Sequence, residues 1–297
     1  LGKMEYVGVK CDSNVLDLMG KDILKRIEEV SKLIYDYCGE EFNISSPKQL
    51  GSILFEKMKL PHGKKTKSGY STDEATLSKL TMYPIINEIL EYRMLTKLHG
   101  TYIEGLKNTI HEDGKIHTIY TQTLTRTGRL SSVEPNLQNI PVRNEYGRLI
   151  RKSFLPSEDS LILSSDYSQI ELRIFAHLAN EGELIKAFNN NEDIHSKSAS
   201  EIFGVSIDSV TKDMRRTAKA VNFGIIYGIS SYGLAQDLGI SNKEAKDFID
   251  KYFESFPKIK NYMNEVIEKA KIEGYVKTIM NRKRIIEEIH NSNYMIR

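Results

Sequence analysis

The stretch LILSSDYSQIELRIFAHL, residues 161–178, changes character partway along. The apolar triplet Leu161-Ile162-Leu163 reads as a short strand, whereas IFAHL at 174–178 reads as helix. Asp166 lies at the seam, with Glu171 five residues on. Two local readings of that seam stand side by side. Ser168 with Glu171 fits an S-x-x-E capping box, and Asp166 with Gln169 fits a variant of it, so that a strand ends and a helix is capped. Alternatively Asp166, at a strand's carboxyl end, holds Mg²⁺, a hard cation that takes one or two carboxylates plus substrate phosphates. Spacing leaves both open.

Outward from this seam the texture divides the chain. Val15, Leu18, Met19, Ile23, Ile27, Val30, Ile34 and Tyr37 recur at three- and four-residue intervals, which predicts one amphipathic helix over 13–38. Ser46-Pro47 opens a second helix through Phe55, a basic loop covers 59–74, and a third helical run extends from Pro84 to Leu106. After Gly114, residues 116–123 alternate like a strand and 124–143 read as polar loop. From Glu181 onward the pattern is helical, with breaks near Gly204, Gly239 and Pro257. The plan is a helical arm, a small β-containing centre and a second helical block.

The run KDMRRTAKAVNFGIIYGIS at 212–230 predicts a helix on which Arg215, Lys219, Phe223 and Tyr227 are spaced by four. Each such step advances about 6 Å and turns about 40°, so the four make a gently winding stripe roughly 18 Å long. Cations at one end and aromatics at the other suit a nucleoside triphosphate: charge-assisted bonds to phosphate, then ring faces for sugar and base. The same pattern also describes two solvated cations followed by two core aromatics.

The net charge of +2 is too small to identify a nucleic-acid partner, so that case rests on local charge. Over 121–152, Arg126, Arg129, Arg143, Arg148, Arg151 and Lys152 face Glu134 and Glu145, a local balance of +4. This loop is also rich in Thr, Ser, Gln and Asn, the side chains that touch phosphates, sugars and minor-groove acceptors. A second cluster, Lys57, Lys59, Lys64, Lys65 and Lys67, suits a duplex backbone, or is simply a solvated loop. Cys11 and Cys38 lack any CxxC spacing and read as core residues in a reduced compartment, with no zinc site. No apolar run is long enough to span a membrane, and the expected setting is cytoplasmic, with an organelle left open.

DYSQIELR at 166–173 and RRTAKAVNFGIIYG at 215–228 resemble motifs A and B of the family A DNA polymerases of bacteria. KKTKSGYSTDEATL at 64–77, EYRMLTKLHGTY at 91–102, TGRLSSVEPNLQNIPVR at 127–143 and DIHSKSA at 193–199 are similar to that family too, and in its order. The resemblance covers nearly the whole chain. It implies an α+β fold of right-hand polymerase architecture: a palm lead-in at 1–12, a helical thumb at 13–110, a partial antiparallel-sheet palm at 111–180 and helical fingers at 181–297. The implied enzyme is a DNA-directed DNA polymerase of replication and repair, acting as a monomer on primer–template DNA and deoxynucleoside triphosphates.

Residue by residue, the resemblance makes Asp166 one of two metal-bridging carboxylates, with the Tyr167 carbonyl on one of two Mg²⁺ ions. Arg215, Lys219 and His195 would hold the triphosphate, with Lys219 a general acid for the pyrophosphate leaving group. Phe223 and Tyr227 would stack on the incoming sugar and templating pair, and Glu171 would crowd out a ribose 2′-hydroxyl. Arg129, Asn136, Gln138, Asn139 and Arg143 would line the minor groove and primer end; Lys64, Lys65, Arg93 and Lys97 would follow the duplex backbone. The chain departs from the pattern in two ways. It lacks motif C, whose His-Asp-Glu carries the second metal-bridging aspartate, so the 297 residues alone are expected to be inactive. RKRIIEEI at 282–289 also lacks the Leu-Pro pair usual there, leaving that path open.

Two competing readings come from other directions. SYGLAQDLGISNKEAKDFIDKYF at 231–253 has the look of a helix-turn-helix, as in a DNA-binding regulator. Its presumptive reading helix balances Lys243, Lys246 and Lys251 against Glu244, Asp247 and Asp250, a poor face for phosphates. A nucleotidyl transferase making RNA is the nearer alternative, and Glu171 as a gate argues against it.

Overall fold

The computed structural model describes residues 1–63, 65, 69–142 and 145–292. Two units make up the chain, Leu1–Leu163 and Ser164–Arg297. In the first, helix α1 (Gly2–Val7) leads through strand β1 (Val9–Cys11) into α2 (Ser13–Cys38). Asp12 starts α2 because its Oδ1 accepts from Asn14 N at 2.9 Å and Val15 N at 3.4 Å, and Gly39 ends it in the left-handed region. The buried face is Leu16, Met19, Ile23, Val30 and Ile34. Leu18 and Tyr37, expected on that face, are exposed. Leu18 lies about 200° around the helix from Leu16, so only one of the two can face the core.

Helix α3 (Pro47–Gly51) begins at the Ser46 cap and widens into a π-helical turn, Ser52–Lys57. After α4 (Glu74–Leu77), helix α5 (Pro84–Leu98) lays Ile85, Ile86, Ile89, Leu95 and Leu98 against α2. Each such aliphatic side chain contributes about 1.5–3 kcal/mol by leaving water. A two-point contact fixes the pair, Arg26 Nε and Nη2 donating to the Glu91 carboxylate at 2.8 and 2.9 Å. The run then passes through a π-helical turn at His99–Glu104 into α6 (Gly105–Lys107).

The expected strand at 116–123 divides into β2 (Lys115–Ile116) and β3 (Ile119–Thr121), which belong to different sheets. The expected loop at 124–143 contains β4 (Ser131–Val133), paired antiparallel with β3 so that Tyr120 faces Ser132. Helix α7 (Glu145–Arg151) and β5 (Phe154–Leu155) follow, and the antiparallel order is β2-β1-β5 with Val9 opposite Ile116 and Cys11 opposite Phe154. Cys11 and Cys38 are free thiols, both buried.

The opening stretch departs most from expectation. Leu161, Ile162 and Leu163 form no strand and are 93%, 62% and 91% exposed. A strand needs a neighbour for its N–H and C=O groups, and among the described residues none pairs with these three. The capping box is absent as well. Helix α8 (Ile170–Leu178) starts after Gln169, which takes the cap position at φ 52° without a side-chain bond; Ser168 instead presents its carbonyl to Arg173 Nε at 3.0 Å.

The second unit continues with α9 (Gly182–Asn189), α10 (Ile194–Phe203), α11 (Lys212–Ile226), α12 (Ser231–Leu238), α13 (Asn242–Ser255) and α14 (Pro257–Glu273). Breaks fall where expected: Gly204 and Gly239 end helices in the left-handed region, and Pro257 starts α14. Ala199 and Ala218, both fully buried, leave room for α10 and α11 to lie close together. Gly224 in α11 meets Ile229 so closely that a Cβ would sit 2.5 Å from Ile229 Cγ2, which lets the chain fold back after Tyr227. The helical pattern expected to the chain's end stops at Gly274. A hairpin of β6 (Tyr275–Lys277) and β7 (Lys283–Ile285) follows, giving RKRIIEEI its path through β7 into a 3₁₀ turn at Glu287–His290.

Candidate functional site

In the second unit the expected stripe forms. Arg215, Lys219 and Phe223 lie on α11, and Tyr227 follows one residue past its end, its N–H still bonded to the Phe223 carbonyl at 3.1 Å. Neighbouring helices supply partners along the stripe. Arg215 donates from Nε (2.5 Å) and Nη2 (3.2 Å) to the carboxylate of Asp193, which caps α10 and also accepts from His195 N and Ser196 Oγ. Burial opposes ionisation of Asp193, but the Arg215 fork and the Ser196 hydroxyl outweigh it and hold the carboxyl at about 2. The same contact raises the Arg215 guanidinium above its ordinary value.

His195 sits on the first turn of α10, 3% exposed, with its ring 5.8 Å from the Phe223 ring. Burial pulls its pKa down; Asp193 opposes this, and the charges of Arg215 and Lys219 add to it. Further along, Tyr227 donates its hydroxyl proton to Glu171 Oε2 at 2.5 Å. One cluster therefore gathers Arg215, Lys219, His195, Phe223, Tyr227 and Glu171, with Asp193 added by the structure.

Asp166 and Tyr167 are exposed ahead of α8 and make no side-chain bond among the described residues. A free carboxylate and a nearby carbonyl are the hard oxygen donors Mg²⁺ takes. Among the described residues, however, no cluster of three or more His, Cys, Asp or Glu could hold a metal. The donors present fit part of a metal site and no more.

The residues expected to follow the duplex lie in the first unit. A groove of about 600 Å³ brings Arg93, Lys97 and Asn139 together along α5. Arg93 is committed inside the protein: Nη1 donates to the Thr72 carbonyl and Nη2 to Thr72 Oγ1 at 3.1 Å. Burial lowers its pKa, and Asp73 opposes this. Lys65 pairs with Glu56 Oε1 at 3.1 Å and lies over the Tyr70 ring. Lys97 is exposed, with no ion pair among the described residues. Lys64 and Arg143 lie outside the described residues.

Arg129, Asn136, Gln138 and Asn139 are exposed on one polar loop. A knot of buried hydroxyls, which sequence reasoning missed, holds that loop. Thr118 Oγ1 lies 2.6 Å from Ser132 Oγ and within reach of the Val133 and Pro135 carbonyls, and Ser132 Oγ accepts from Leu137 N at 3.0 Å. Alternation around 116–123 marked Thr118 as an inward position, which was the available signal. Asn222 was missed likewise, although it interrupts the apolar spacing Ala218, Val221, Ile225.

Helices α12 and α13 do have helix-turn-helix form about Gly239, and a capping box unites Ser241 with Glu244. Their apolar faces belong to the unit's core, and Lys251 pairs with Asp247 at 3.1 Å, so no net positive charge collects on α13 for a phosphate backbone. No helix among the described residues is long and apolar enough to cross a membrane.

Comparison with known proteins bears on this geometry. A family model described as DNA polymerase family A matches residues 13–297. The chain is 54% identical to DNA polymerase I of Geobacillus stearothermophilus, covering 100% of this chain and 34% of that protein. DNA polymerase I of Bacillus subtilis (strain 168) gives the same identity and coverage. This chain thus spans about a third of the length of the curated relatives it matches. Among solved structures, the POL domain of Pol1 from M. smegmatis in complex with DNA primer-template and dNTP matches with a TM-score of 0.91 and 42% identity, over 99% of this chain and 53% of that one.

Proposed function

This chain belongs to DNA polymerase family A, and on that footing we propose that it is the part of a DNA-directed DNA polymerase that holds the incoming deoxynucleoside triphosphate and grips primer–template DNA. The observation that carries this reading is the stripe on α11, with the His195 ring packed against Phe223 and Glu171 bonded to Tyr227. In the reaction, the primer 3′-oxygen bonds to the α-phosphorus as the bond from that phosphorus to pyrophosphate breaks, and the leaving oxygen gains charge. Arg215 and Lys219 would supply positive charge to the phosphates, and Lys219 would give the leaving oxygen a proton. Phe223 and Tyr227 offer ring faces to sugar and base. Glu171, fixed by Tyr227, occupies space that a 2′-hydroxyl would need.

Asp166 and the Tyr167 carbonyl would hold Mg²⁺, which when bound offsets charge on the attacking and leaving oxygens. In this reading residues 1–12 lead into the palm, 13–110 are the thumb, 111–180 part of the palm and 181–297 the fingers. Arg129, Asn136, Gln138 and Asn139 would touch the minor groove and primer end, with Arg143 beside them. Lys64, Lys65, Arg93 and Lys97 would track the duplex.

The test is primer extension. The intact protein containing this chain should add deoxynucleotides as the template directs, whereas residues 1–297 alone, with a single candidate metal carboxylate, should add none. Template-directed extension by the 297-residue chain would overturn the two-carboxylate part of the reading. Duplex binding by the intact protein without any extension would overturn the enzyme reading itself.

A further inference from the structure

Asn222 is a costly residue where it stands. It is 1% exposed on the face of α11 turned to α10, among Ala218, Val221 and Ile225, where a leucine would pack without polar groups to satisfy. Each buried donor or acceptor left unmade costs about 1–3 kcal/mol. Its carboxamide instead joins two residues of α10. Ser198 Oγ, on a fully buried side chain, donates to Asn222 Oδ1 at 3.0 Å, and Asn222 Nδ2 lies 3.1 Å from His195 Nδ1. His195 and Ser198 are three residues apart, so they share a face of α10 and both reach the same amide.

We propose that Ser198 and Asn222 are positioning residues that place the single ring proton of His195 on Nε2, making that nitrogen the hydrogen-bond donor toward a triphosphate oxygen. An amide NH₂ group only donates, so the Nδ1 it faces must be bare. The opposite amide orientation would turn Oδ1 to the ring and put the proton on Nδ1. It would also strand the Ser198 hydroxyl proton, which has no other acceptor among the described residues. A bare Nε2 would then meet phosphate oxygens lone pair to lone pair. Nε2 has no partner among the described residues, so it is the nitrogen left for a ligand.

The surroundings keep the ring neutral, as the arrangement requires. Burial lowers the His195 pKa, the charges of Arg215 and Lys219 act in the same direction, and the Asp193 carboxylate opposes them. Phe223 covers part of the ring. A neutral donor suits this position because cations already flank it: specificity comes from a directed N–H, not from another charge.

The inference rests on the reading that His195 meets the triphosphate, and two measurements keep the two apart. In the intact, ¹⁵N-labelled protein, long-range proton–nitrogen correlation reports which ring nitrogen carries the proton, with the His195 signal assigned by its loss in His195→Gln. The expected result is a protonated Nε2 and a bare Nδ1. Ser198→Thr, which keeps the hydroxyl, should preserve that pattern; Ser198→Ala should yield a mixture, and Asn222→Asp should move a proton to Nδ1. In parallel, Asn222→Asp should raise KM for deoxynucleotides by about tenfold, as expected for one lost hydrogen bond to a charged group, with kcat less affected, and Ser198→Ala should raise it by a smaller factor set by the fraction of rings protonated on Nδ1. A wild-type ring protonated on Nδ1, or a tautomer unchanged in both Ser198→Ala and Asn222→Asp, overturns the inference while leaving the triphosphate reading intact. Unchanged KM in His195→Ala overturns the triphosphate reading while leaving the tautomer result standing.

Discussion

Arg93 and Lys97 in the first unit, and Arg215 and Lys219 in the second, are the same pair at the same helical spacing, yet their arginines are held in opposite ways. Arg93 gives its fork to the neutral oxygens of Thr72, so no carboxylate bonds it and Asp73 acts on its charge only through space. Arg215 gives its fork to the carboxylate of Asp193, so its charge is met before any ligand arrives. The lysine one turn on is exposed in both cases, without an ion partner among the described residues. Uncompensated charge on a surface favours a polyanion gripped along its length, through release of counterions. A compensated arginine beside a free lysine favours a ligand strong enough to compete with a carboxylate, such as a triphosphate.

The largest effect that could break this comparison comes from the two lysines. Lys219→Ala should lower deoxynucleotide incorporation by about a hundredfold or more, as for a lost general acid, and leave duplex affinity within about twofold. Lys97→Ala should do the reverse, with incorporation at saturating duplex unchanged. Equal loss of both activities in Lys219→Ala, measured by single-turnover extension and duplex titration, would return that residue to the duplex class.

Glu171→Ala should come next in size. It removes both the carboxylate proposed to crowd the sugar and the acceptor for the Tyr227 hydroxyl. Discrimination against ribonucleotides should fall by about tenfold or more, the range for one steric group in a fitted pocket. Competition between matched ribo- and deoxynucleotides reads this directly, and an unchanged ratio removes Glu171 from the gate.

A smaller effect tests the charge argument in the first unit. If Lys97 contacts one phosphate, its alanine variant should reduce the slope of log affinity against log salt by about 0.9. Lys65 should contribute less than Lys97, because Glu56 already pairs with it. Equal slopes for Lys65→Ala and Lys97→Ala would mean that internal pairing does not decide which cation grips the duplex.

The second unit was more legible in the sequence than the first for the same reason that its site is tighter. Four-residue spacing on an uninterrupted helix makes neighbours in sequence neighbours in space, so Arg215, Lys219, Phe223 and Tyr227 could be read as a stripe. The glycine and proline breaks were legible too, because each rests on one residue's own backbone limits. What escaped depends on partners distant in sequence. Asp193 meets Arg215 across 22 residues, and Asn222 meets His195 across 27. The strand expected at Leu161-Ile162-Leu163 failed on the same ground: an apolar triplet becomes a strand only when another strand takes its hydrogen bonds. The cap position of Gln169, which makes no side-chain bond, likewise shows that an S-x-x-E pattern permits a box without compelling one, whereas Ser241 and Glu244 form it in full.

The smallest effect examines the ion pair itself. The Asp193 carboxyl titrates at about 2, below its ordinary value, so the folded state favours its ionised form. Its contribution to stability is therefore complete above about pH 4 and disappears as pH falls toward 2. Both partners are more than a third exposed, so solvent screening limits the pair to under about 1 kcal/mol at neutral pH. Asp193→Asn should lower stability slightly at pH 7 and match the parent protein near pH 2, in denaturant titrations at the two pH values. The same variant leaves Arg215 without a bonded carboxylate, as Arg93 is. If compensation sets ligand preference, Asp193→Asn should therefore bind duplex more tightly at low salt, with a steeper salt slope, and an unchanged slope would separate the clamp from the choice of ligand.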